Sequence, residues 1–174
     1  MNKEKRKLIA IVIIVLIFLS GCAGNKMASW DKVQLASEAE DSEAKTFTTS
    51  DSKSNIYIYR ERTAGAEISF QVTLDGKSIG YFVPNRYYLL SVEPGKHSIE
   101  IITKKNVNFN YNEDDSMVNI DTNPGENYFV NANAWLPMPK TGLLPSIRVK
   151  AAQVKNPVGM KKIKKSKLVK NIIS

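Results

Sequence analysis

The sequence predicts an all-β fold, an antiparallel β-sandwich of about seven to eight short strands. Two observations lead to this fold class. Downstream of Asn55, apolar and polar residues alternate with a period of two in short runs, which is typical of strands. Turn-forming residues separate these runs at close intervals, and no run keeps a strong helical period. We therefore place the β-sandwich domain at residues 55–155.

The N-terminus has the features of a secretion signal. Residues 1–7 carry four cations and one carboxylate, and an unbroken apolar run of twelve residues follows from Leu8 to Leu19. A helix needs roughly 20 apolar residues to cross a bilayer, so this run is too short for a span but suits a signal peptide. Residues 1–21 are therefore predicted to be a cleaved signal, and the alternative is an uncleaved signal anchor.

The residues Leu19-Ser20-Gly21-Cys22 form a lipobox. Small side chains give a signal peptidase access to the bond between Gly21 and Cys22, and the Cys22 thiol is nucleophilic enough to take a diacylglyceryl group. Cys22 is the only cysteine, so no disulfide can form within the chain. A buried structural thiol is the alternative, which is disfavoured because Cys22 precedes any segment that could fold.

Lipidation at Cys22 would hold the mature protein on a membrane. A diacylglyceryl group and an N-acyl chain bury many methylenes, each worth about 0.8 kcal/mol. Ala23 follows the cysteine, where an aspartate would favour retention at the inner membrane. In a bacterium with two membranes, we therefore expect an anchor in the outer membrane, with the domain facing the periplasm.

Residues 22–54 are predicted to be the lipidated N-terminus and a flexible tether. Ser, Ala, Glu, Lys and Thr predominate there over large apolar residues. A short helix is expected at 35–45, where Ala, Glu and Lys dominate. Trp30 and Phe47 are candidates for packing this segment against the body.

Turn motifs organise the predicted strands into hairpins. Asp75-Gly76 lies between the runs 68–74 and 78–83, and both residues suit the positive φ of a type I′ turn. Pro94-Gly95 is expected to join strands at 87–92 and 97–103 through a type II turn.

A third hairpin is expected around Asn123-Pro124-Gly125, joining strands at 117–120 and 128–134. The series opens with the strand 56–59 and closes with the strand 147–154. An exposed polar loop is expected at 104–115, where Asn residues precede three consecutive acids.

Enzymatic chemistry is disfavoured by the residues present. His97 is the single histidine and follows a turn directly, where its side chain most simply begins a strand or binds a nearby carbonyl. No motif supplies a matching nucleophile or orienting acid. The single cysteine excludes a Cys/His zinc cluster, and the acids at 113–115 lack the spacing of a calcium loop. We therefore expect no enzyme activity, metal or other cofactor.

Positive charge is concentrated at the C-terminal end. Ten cations and no carboxylate follow Glu126, and loss of the signal lowers the formal net charge from +8 to +5. Such an end is drawn to polyanions, which in the periplasm are anionic lipid, lipopolysaccharide or cell-wall polymer. Nucleic acid is not expected as a partner of an exported protein. The alternative is that these lysines only keep the surface soluble.

Residues 156–174 are accordingly predicted to be a basic C-terminal tail, with Lys161, Lys162, Lys164 and Lys165 as candidate contacts to a ligand or partner. An amphipathic helix from Gly159 to Ser174 is the disfavoured alternative, because its apolar residues scatter over more than one face.

The order of the motifs resembles a family of small proteobacterial lipoproteins with a domain of unknown function. That domain is similar to PEGA-like and carboxypeptidase-regulatory-like β-sandwiches, and the resemblance spans about residues 40–155. It is carried by the runs around Tyr59, Arg60, Asp75, Gly76, Pro94, Gly95 and His97 and by Pro124 to Val130.

The resemblance implies a lipid-anchored β-sandwich with no established activity, cofactor or catalytic residue. Most of its motif residues suit hairpin turns, but a turn does not require the guanidinium of Arg60. Arg60 is therefore expected either to pair with a carboxylate or to face a ligand.

The function expected from the sequence is a non-enzymatic binding module of the cell envelope, whose partner is an anionic polymer, a lipid or another envelope protein. The alternative is an envelope hydrolase or its accessory subunit, with His97 or a carboxylate pair in a cleft.

Overall fold

The computed structural model describes residues 33–63, 70–102, 111–112, 116–135 and 147–170. The predicted signal, Gly21, Cys22 and Trp30 lie outside the described residues. The elements are, in chain order, α1 (Glu38–Ala44), β1 (Ser54–Arg60), β2 (Phe70–Leu74), β3 (Lys77–Phe82), β4 (Arg86–Val92), β5 (Gly95–Ile102), β6 (Tyr111–Asn112), β7 (Met117–Thr122), β8 (Asn127–Trp135), β9 (Ile147–Val154), α2 (Asn156–Ile163) and β10 (Lys167–Leu168).

The strands of the described residues form two sheets. The larger sheet has the order β10-β4-β1-β8-β9-β6, and the smaller has the order β3-β2-β5-β7. The smaller sheet is antiparallel throughout. The larger is mixed, because β1 pairs in parallel with β8, β4 with β10 and β6 with β9.

The expectation of a mostly β protein is confirmed, but the expectation of antiparallel pairing throughout is wrong. Strands of the antiparallel sheet lie between β1 and β8 in the sequence. A chain that returns from another sheet can enter the mixed sheet in either direction, whereas a tight hairpin allows only an antiparallel neighbour.

Only one of the three expected hairpins forms. Leu74 pairs with Lys77 across Asp75-Gly76, whose φ angles are 51° and 76°. At Pro94-Gly95 the hairpin is wrong, because β4 pairs with β1 in the mixed sheet whereas β5 pairs with β2 and β7 in the antiparallel sheet.

The hairpin expected at Asn123-Pro124-Gly125 is also wrong, since β7 lies in the antiparallel sheet and β8 in the mixed sheet. The turn itself is present, and Gly125 has a φ of 77°. Both wrong hairpins therefore lie at points where the chain crosses from one sheet to the other.

A hydrophobic core lies between the two sheets. Ile56, Ile58 and Val130 of the mixed sheet share it with Val72 and Ile99 of the antiparallel sheet. The alternate residues of β1 face the other way, yet every residue of this strand is buried. Both faces of the mixed sheet are therefore covered, which a simple apolar and polar alternation does not predict.

The outer face of the mixed sheet carries a second, aromatic cluster. Tyr57 stacks on Phe129 with ring centroids 5.0 Å apart, and Phe47 packs against both rings. The Tyr57 hydroxyl donates to the carbonyl oxygen of Ala44 at 2.9 Å, and burial raises the pKa of Tyr57 to about 12. The helices and the segment after α1 cover this cluster, and Ile163 of α2 is buried in it.

The helix expected at 35–45 is confirmed as α1. Its N-terminus is a capping box: the Ser37 hydroxyl accepts from the Glu40 N–H, and the Glu40 carboxylate accepts from the Ser37 N–H. Packing begins upstream of the sequence-based boundary at 54, because Val33 already contacts the core between the sheets.

Residues 156–170 fold onto the mixed sheet, which differs from the tail that the sequence suggested. Helix α2 buries Gly159 and Ile163, β10 pairs with β4, and Val169 reaches the core between the sheets. Because the segment is a helix followed by a strand, its apolar residues could not share one helical face.

A basic surface on the second helix and last strand

Seven lysines between residues 155 and 170 form what we call the basic surface, namely Lys155, Lys161, Lys162, Lys164, Lys165, Lys167 and Lys170. Six are exposed, and Lys162 is half-buried. The spacing of α2 places Val158 about one turn from both Lys155 and Lys161, and it places Val158 and Lys161 on the side away from Gly159 and Ile163. Val158 itself is 48% exposed. The outward side of α2 is therefore basic with an apolar residue at its centre.

The four candidate lysines are not equivalent. Lys162 Nζ binds the Glu61 carboxylate, whose other oxygen accepts from Asn131 Nδ2 at 3.1 Å, so Lys162 ties α2 to the mixed sheet. Within the described residues, Lys161, Lys164 and Lys165 lie within ion-pairing distance of no carboxylate. Lys161 belongs to the last turn of α2, where a cation interacts favourably with the helix dipole.

Asp41 fastens α1 to the basic surface. Its carboxylate accepts from the Leu168 N–H at 2.9 Å, the Tyr87 hydroxyl at 2.9 Å and Lys45 Nζ at 2.7 Å. Burial alone would raise the pKa of Asp41, but these hydrogen bonds outweigh burial and hold it below the ordinary value. Asp41 is buried, and sequence reasoning did not single it out, although the capping box just before it was a readable signal.

The first described residues are hydrogen-bonded to the last. Ala36 N–H donates to the Leu168 carbonyl at 3.0 Å, and Lys170 N–H donates to the Gln34 carbonyl at 2.9 Å. Leu35 forms a β-bridge with Val169 and is 47% exposed. The segment that leads back towards Cys22 therefore leaves the body beside the basic surface.

Exposed carboxylates of α1 border the basic surface. Glu38, Glu40 and Glu43 are exposed, and Lys170 contributes to the lowered pKa of Glu40, whose main cause is the hydrogen bonding of its carboxylate to Ser37. Positive charge therefore extends from α2 to β10 and ends at α1.

His97 occupies a different face, at the turn of the β2–β3 hairpin. Its Nδ1 lies 2.8 Å from Asp75 Oδ2, and its Nε2 lies 2.8 Å from the Glu93 carbonyl oxygen. Asp75 Oδ1 also accepts from the Ser98 N–H. Burial alone would lower the pKa of His97, but its bonds to Asp75 and Glu93 outweigh burial and raise it. Burial alone would raise the pKa of Asp75, but its bonds to His97 and to the Ser98 N–H outweigh burial and lower it.

This geometry favours the protonated form of His97. A carbonyl oxygen and an ionised carboxylate can only accept hydrogen bonds, so both ring nitrogens must carry protons to satisfy them. An imidazolium with both N–H groups engaged has no lone pair with which to take a proton. The residues here lock a turn to β5 and are not arranged as a general base.

Arg60 is fully buried. Its Nη1 donates to the Phe82 carbonyl oxygen at 2.7 Å, and its Cζ lies 4.5 Å from the centre of the Phe70 ring. The guanidinium thus joins β1 of the mixed sheet to residues of β2 and β3 in the antiparallel sheet. It is not placed to contact a partner at the surface.

The described residues include two broad clefts. One, of about 650 Å³, lies between α1 and β10 and is lined by Thr46, Thr48, Leu168 and Lys170 among others. The other, of about 620 Å³, lies beside His97 and Asn119 on the antiparallel sheet.

In the described part of the chain, no three His, Cys, Asp or Glu side chains are grouped so that they could hold a metal ion. No described helix is long and apolar enough to cross a membrane.

These features define a mostly β protein of two sheets, one mixed and one antiparallel, with two short helices. The chain belongs to the family described as Protein of unknown function (DUF2846), whose model matches residues 50–143. Arg60 and His97 lie within the matched residues, whereas the basic surface lies beyond them.

An uncharacterized protein of Haemophilus influenzae is 30% identical to this chain over 122 residues, which are 70% of this chain and 63% of that protein. The chain thus spans less than two thirds of the relative's length. No solved structure matches this chain.

Proposed function

We propose that the protein is a lipid-anchored, non-enzymatic interaction module of the cell envelope, built on a PEGA-like β-sandwich. Signal cleavage after Gly21 and lipidation of Cys22 would attach it to the outer membrane, facing the periplasm. The basic surface would bind an anionic component of the envelope. The charge run at 1–7, the short apolar run and the lipobox support the anchor.

One observation carries the binding proposal. Lys161, Lys164 and Lys165 are exposed and belong to a segment that is fixed to the body through Gly159 and Ile163. A fixed segment holds its charges together without the entropy cost of ordering a tail on binding. Each lysine close to an anionic surface contributes about 1 kcal/mol at physiological salt.

An enzyme is the weaker proposal. The pair of His97 and Asp75 has the outline of a base with an orienting acid, but the Glu93 carbonyl occupies the second ring nitrogen. A hydrolase would need that nitrogen free and a nucleophile beside it.

The test of the binding proposal uses the chain from residue 22 with Cys22→Ser, so that no acyl chain contributes. Its binding to purified cell wall and to anionic vesicles is measured by co-sedimentation between 50 mM and 500 mM salt. Binding that weakens steeply with salt is expected.

The decisive variant replaces Lys161, Lys164 and Lys165 together by Gln. The loss of three charges should weaken binding about 100-fold. The matched control, Lys77→Gln with Lys96→Gln, removes exposed charges from the antiparallel sheet and should retain binding. Equal losses in both variants, or no binding at low salt, would refute the proposal. Truncation after residue 158 is not a suitable test, because it would uncover the aromatic cluster.

A further inference from the structure

We propose that the partner of the basic surface is the anionic phospholipid headgroup layer of the membrane that carries the anchor. This inference rests on the proposed function and adds the identity and position of the partner. The lysines would then hold the body against the membrane in which Cys22 is anchored, and they would not bind a separate polymer.

The first argument is where the anchor segment leaves the body. The backbone of residues 34–36 is bonded to that of 168–170 through Ala36 N–H with Leu168 O and Lys170 N–H with Gln34 O. Tension from the anchor is therefore applied at β10, between Lys167 and Lys170. The side of the protein that is drawn towards the membrane is the side that carries the lysines.

The second argument is the length of chain between the anchor and the body. Ten residues lie between Cys22 and Val33, and the eleven Cα–Cα steps that they create cannot extend beyond about 40 Å. A domain of this size has a radius of gyration of about 15 Å, so the longest reach of the segment is close to the diameter of the body. At that distance the headgroups act on the lysines at a high effective concentration.

The third argument is the chemistry of the surface. Val158 lies on the outward side of α2, about one helical turn from both Lys155 and Lys161, and Leu35 lies beside Lys170. Both apolar side chains are about half exposed. A hydrated polyanion offers no place for them, whereas the interfacial layer of a bilayer accepts apolar side chains and anionic headgroups attract the lysines around them.

The carboxylates of α1 set the orientation of the docked protein. Glu38 and Glu43 are exposed on α1, which is bonded to β10 through Asp41 and the Leu168 N–H, and both would be repelled by anionic headgroups. The body should therefore lie with α2 and β10 towards the membrane and α1 tilted away. It follows that neutralising Glu38 and Glu43 should strengthen binding to anionic vesicles, whereas neutralising Asp121 on β7 should not.

The first experiment compares two sources of anionic charge. The chain with Cys22→Ser is incubated with vesicles of phosphatidylcholine, with vesicles containing phosphatidylglycerol and with purified cell wall. Supporting results are binding to the phosphatidylglycerol vesicles that the triple lysine variant loses about 100-fold, and gain of binding by Glu38→Gln with Glu43→Gln. Lysine-dependent binding to cell wall but not to vesicles would overturn this inference and leave the proposed function standing. Binding to neither would refute both.

The second experiment uses the lipidated protein in vesicles. Because lipid occupies the only native cysteine, a thiol introduced by Val158→Cys can be labelled with a fluorophore on the outward side of α2. Asn119→Cys on β7 is the matched control on the antiparallel sheet. Headgroup-linked quenchers should quench the label at 158 in phosphatidylglycerol vesicles at low salt but not at 500 mM salt, and should leave the label at 119 unaffected. Equal quenching at both positions, or quenching that is independent of lipid charge, would overturn the inference.

Discussion

Gly159→Ala tests whether α2 is fixed to the sheet. A Cβ at position 159 would lie well inside van der Waals distance of Phe129 Cβ and Cγ, and 2.6 Å from its Cδ1. Ordinary contacts begin at 3.4 Å, so α2 or the ring would have to move by at least about 0.8 Å. Rotation of the ring cannot relieve the contact with Phe129 Cβ. The helix itself must therefore be displaced.

Two free-energy terms of opposite sign decide the outcome for Gly159→Ala. Alanine favours a helix interior over glycine by up to about 1 kcal/mol. Overpacking of a filled site costs typically 1 to 3 kcal/mol. Gly159 lies against the fully buried Phe129, so we expect the overpacking term to exceed the helix term and the free energy of unfolding to fall by about 1 to 2 kcal/mol.

The measurement for Gly159→Ala is thermal unfolding followed by circular dichroism. For a chain of this size the melting temperature should fall by about 2 to 8 °C. Val158→Ala is the matched control, since it also raises helix propensity but lies on the exposed side of the same helix, and it should leave the melting temperature unchanged or slightly higher. An unchanged or raised melting temperature for Gly159→Ala would show that α2 does not rest on Phe129.

Three further predictions concern groups that hold the elements together. Asp41→Asn should lower the free energy of unfolding by about 1 to 3 kcal/mol, because buried donors lose a charged acceptor. Since the folded pKa of Asp41 is lowered, its stabilisation is present above the unfolded pKa and is lost as the pH falls through the folded value. The raised pKa of His97 predicts the opposite pH dependence. The stabilisation from its bond to Asp75 is fully present below the unfolded pKa and is lost as the pH rises through the folded pKa. Arg60→Lys should cost about 2 to 4 kcal/mol, because a lysine cannot both stack on Phe70 and donate to the Phe82 carbonyl in the same geometry.

Urea unfolding as a function of pH measures all three effects. His97→Gln should remove the loss of stability that occurs as the pH rises above the unfolded pKa of histidine, and a wild-type pH profile in this variant would contradict the assigned hydrogen bonds. Asp41→Asn should remove the loss at acid pH, and Ser52→Ala, an exposed change outside the helices, is the control for nonspecific effects. A near-wild-type midpoint for Arg60→Lys would show that charge alone suffices at that position.

The sequence predicted local features well and sheet membership poorly. Asp75-Gly76 specifies its turn through its own backbone preferences, so the hairpin followed directly. Pro94-Gly95 separates β4 from β5, but a turn motif does not state which sheet the next strand joins. Here the choice depends on contacts formed by β1 and β2, far away in the sequence. The bounds of β9 were predicted correctly because they depend on the strand's own composition.

Burial on the outer face of the mixed sheet escaped prediction for a related reason. The alternation of Ile56-Tyr57-Ile58-Tyr59 indicates a strand with two different faces, and the tyrosines suit either solvent or a covering layer. Whether the tyrosines face solvent or a covering layer depends on the docking of α1 and α2, which the strand itself does not encode. Among the predicted site residues, Lys161, Lys164 and Lys165 are exposed and their binding role stays a prediction, whereas Arg60 lies inside the protein.

The hydrogen bonds between residues 34–41 and residues 168–170 affect when the protein can finish folding. Asp41 and the Leu168 N–H are bonded across a separation of 127 residues, so the layer over Tyr57 and Phe129 is incomplete until the C-terminal residues are available. Closing so long a loop is slow, and a partly made chain leaves its aromatic surface open to other molecules. Such a protein should depend on helper proteins that shield apolar surfaces until synthesis is complete, and should tolerate a frameshift or early stop near its end badly.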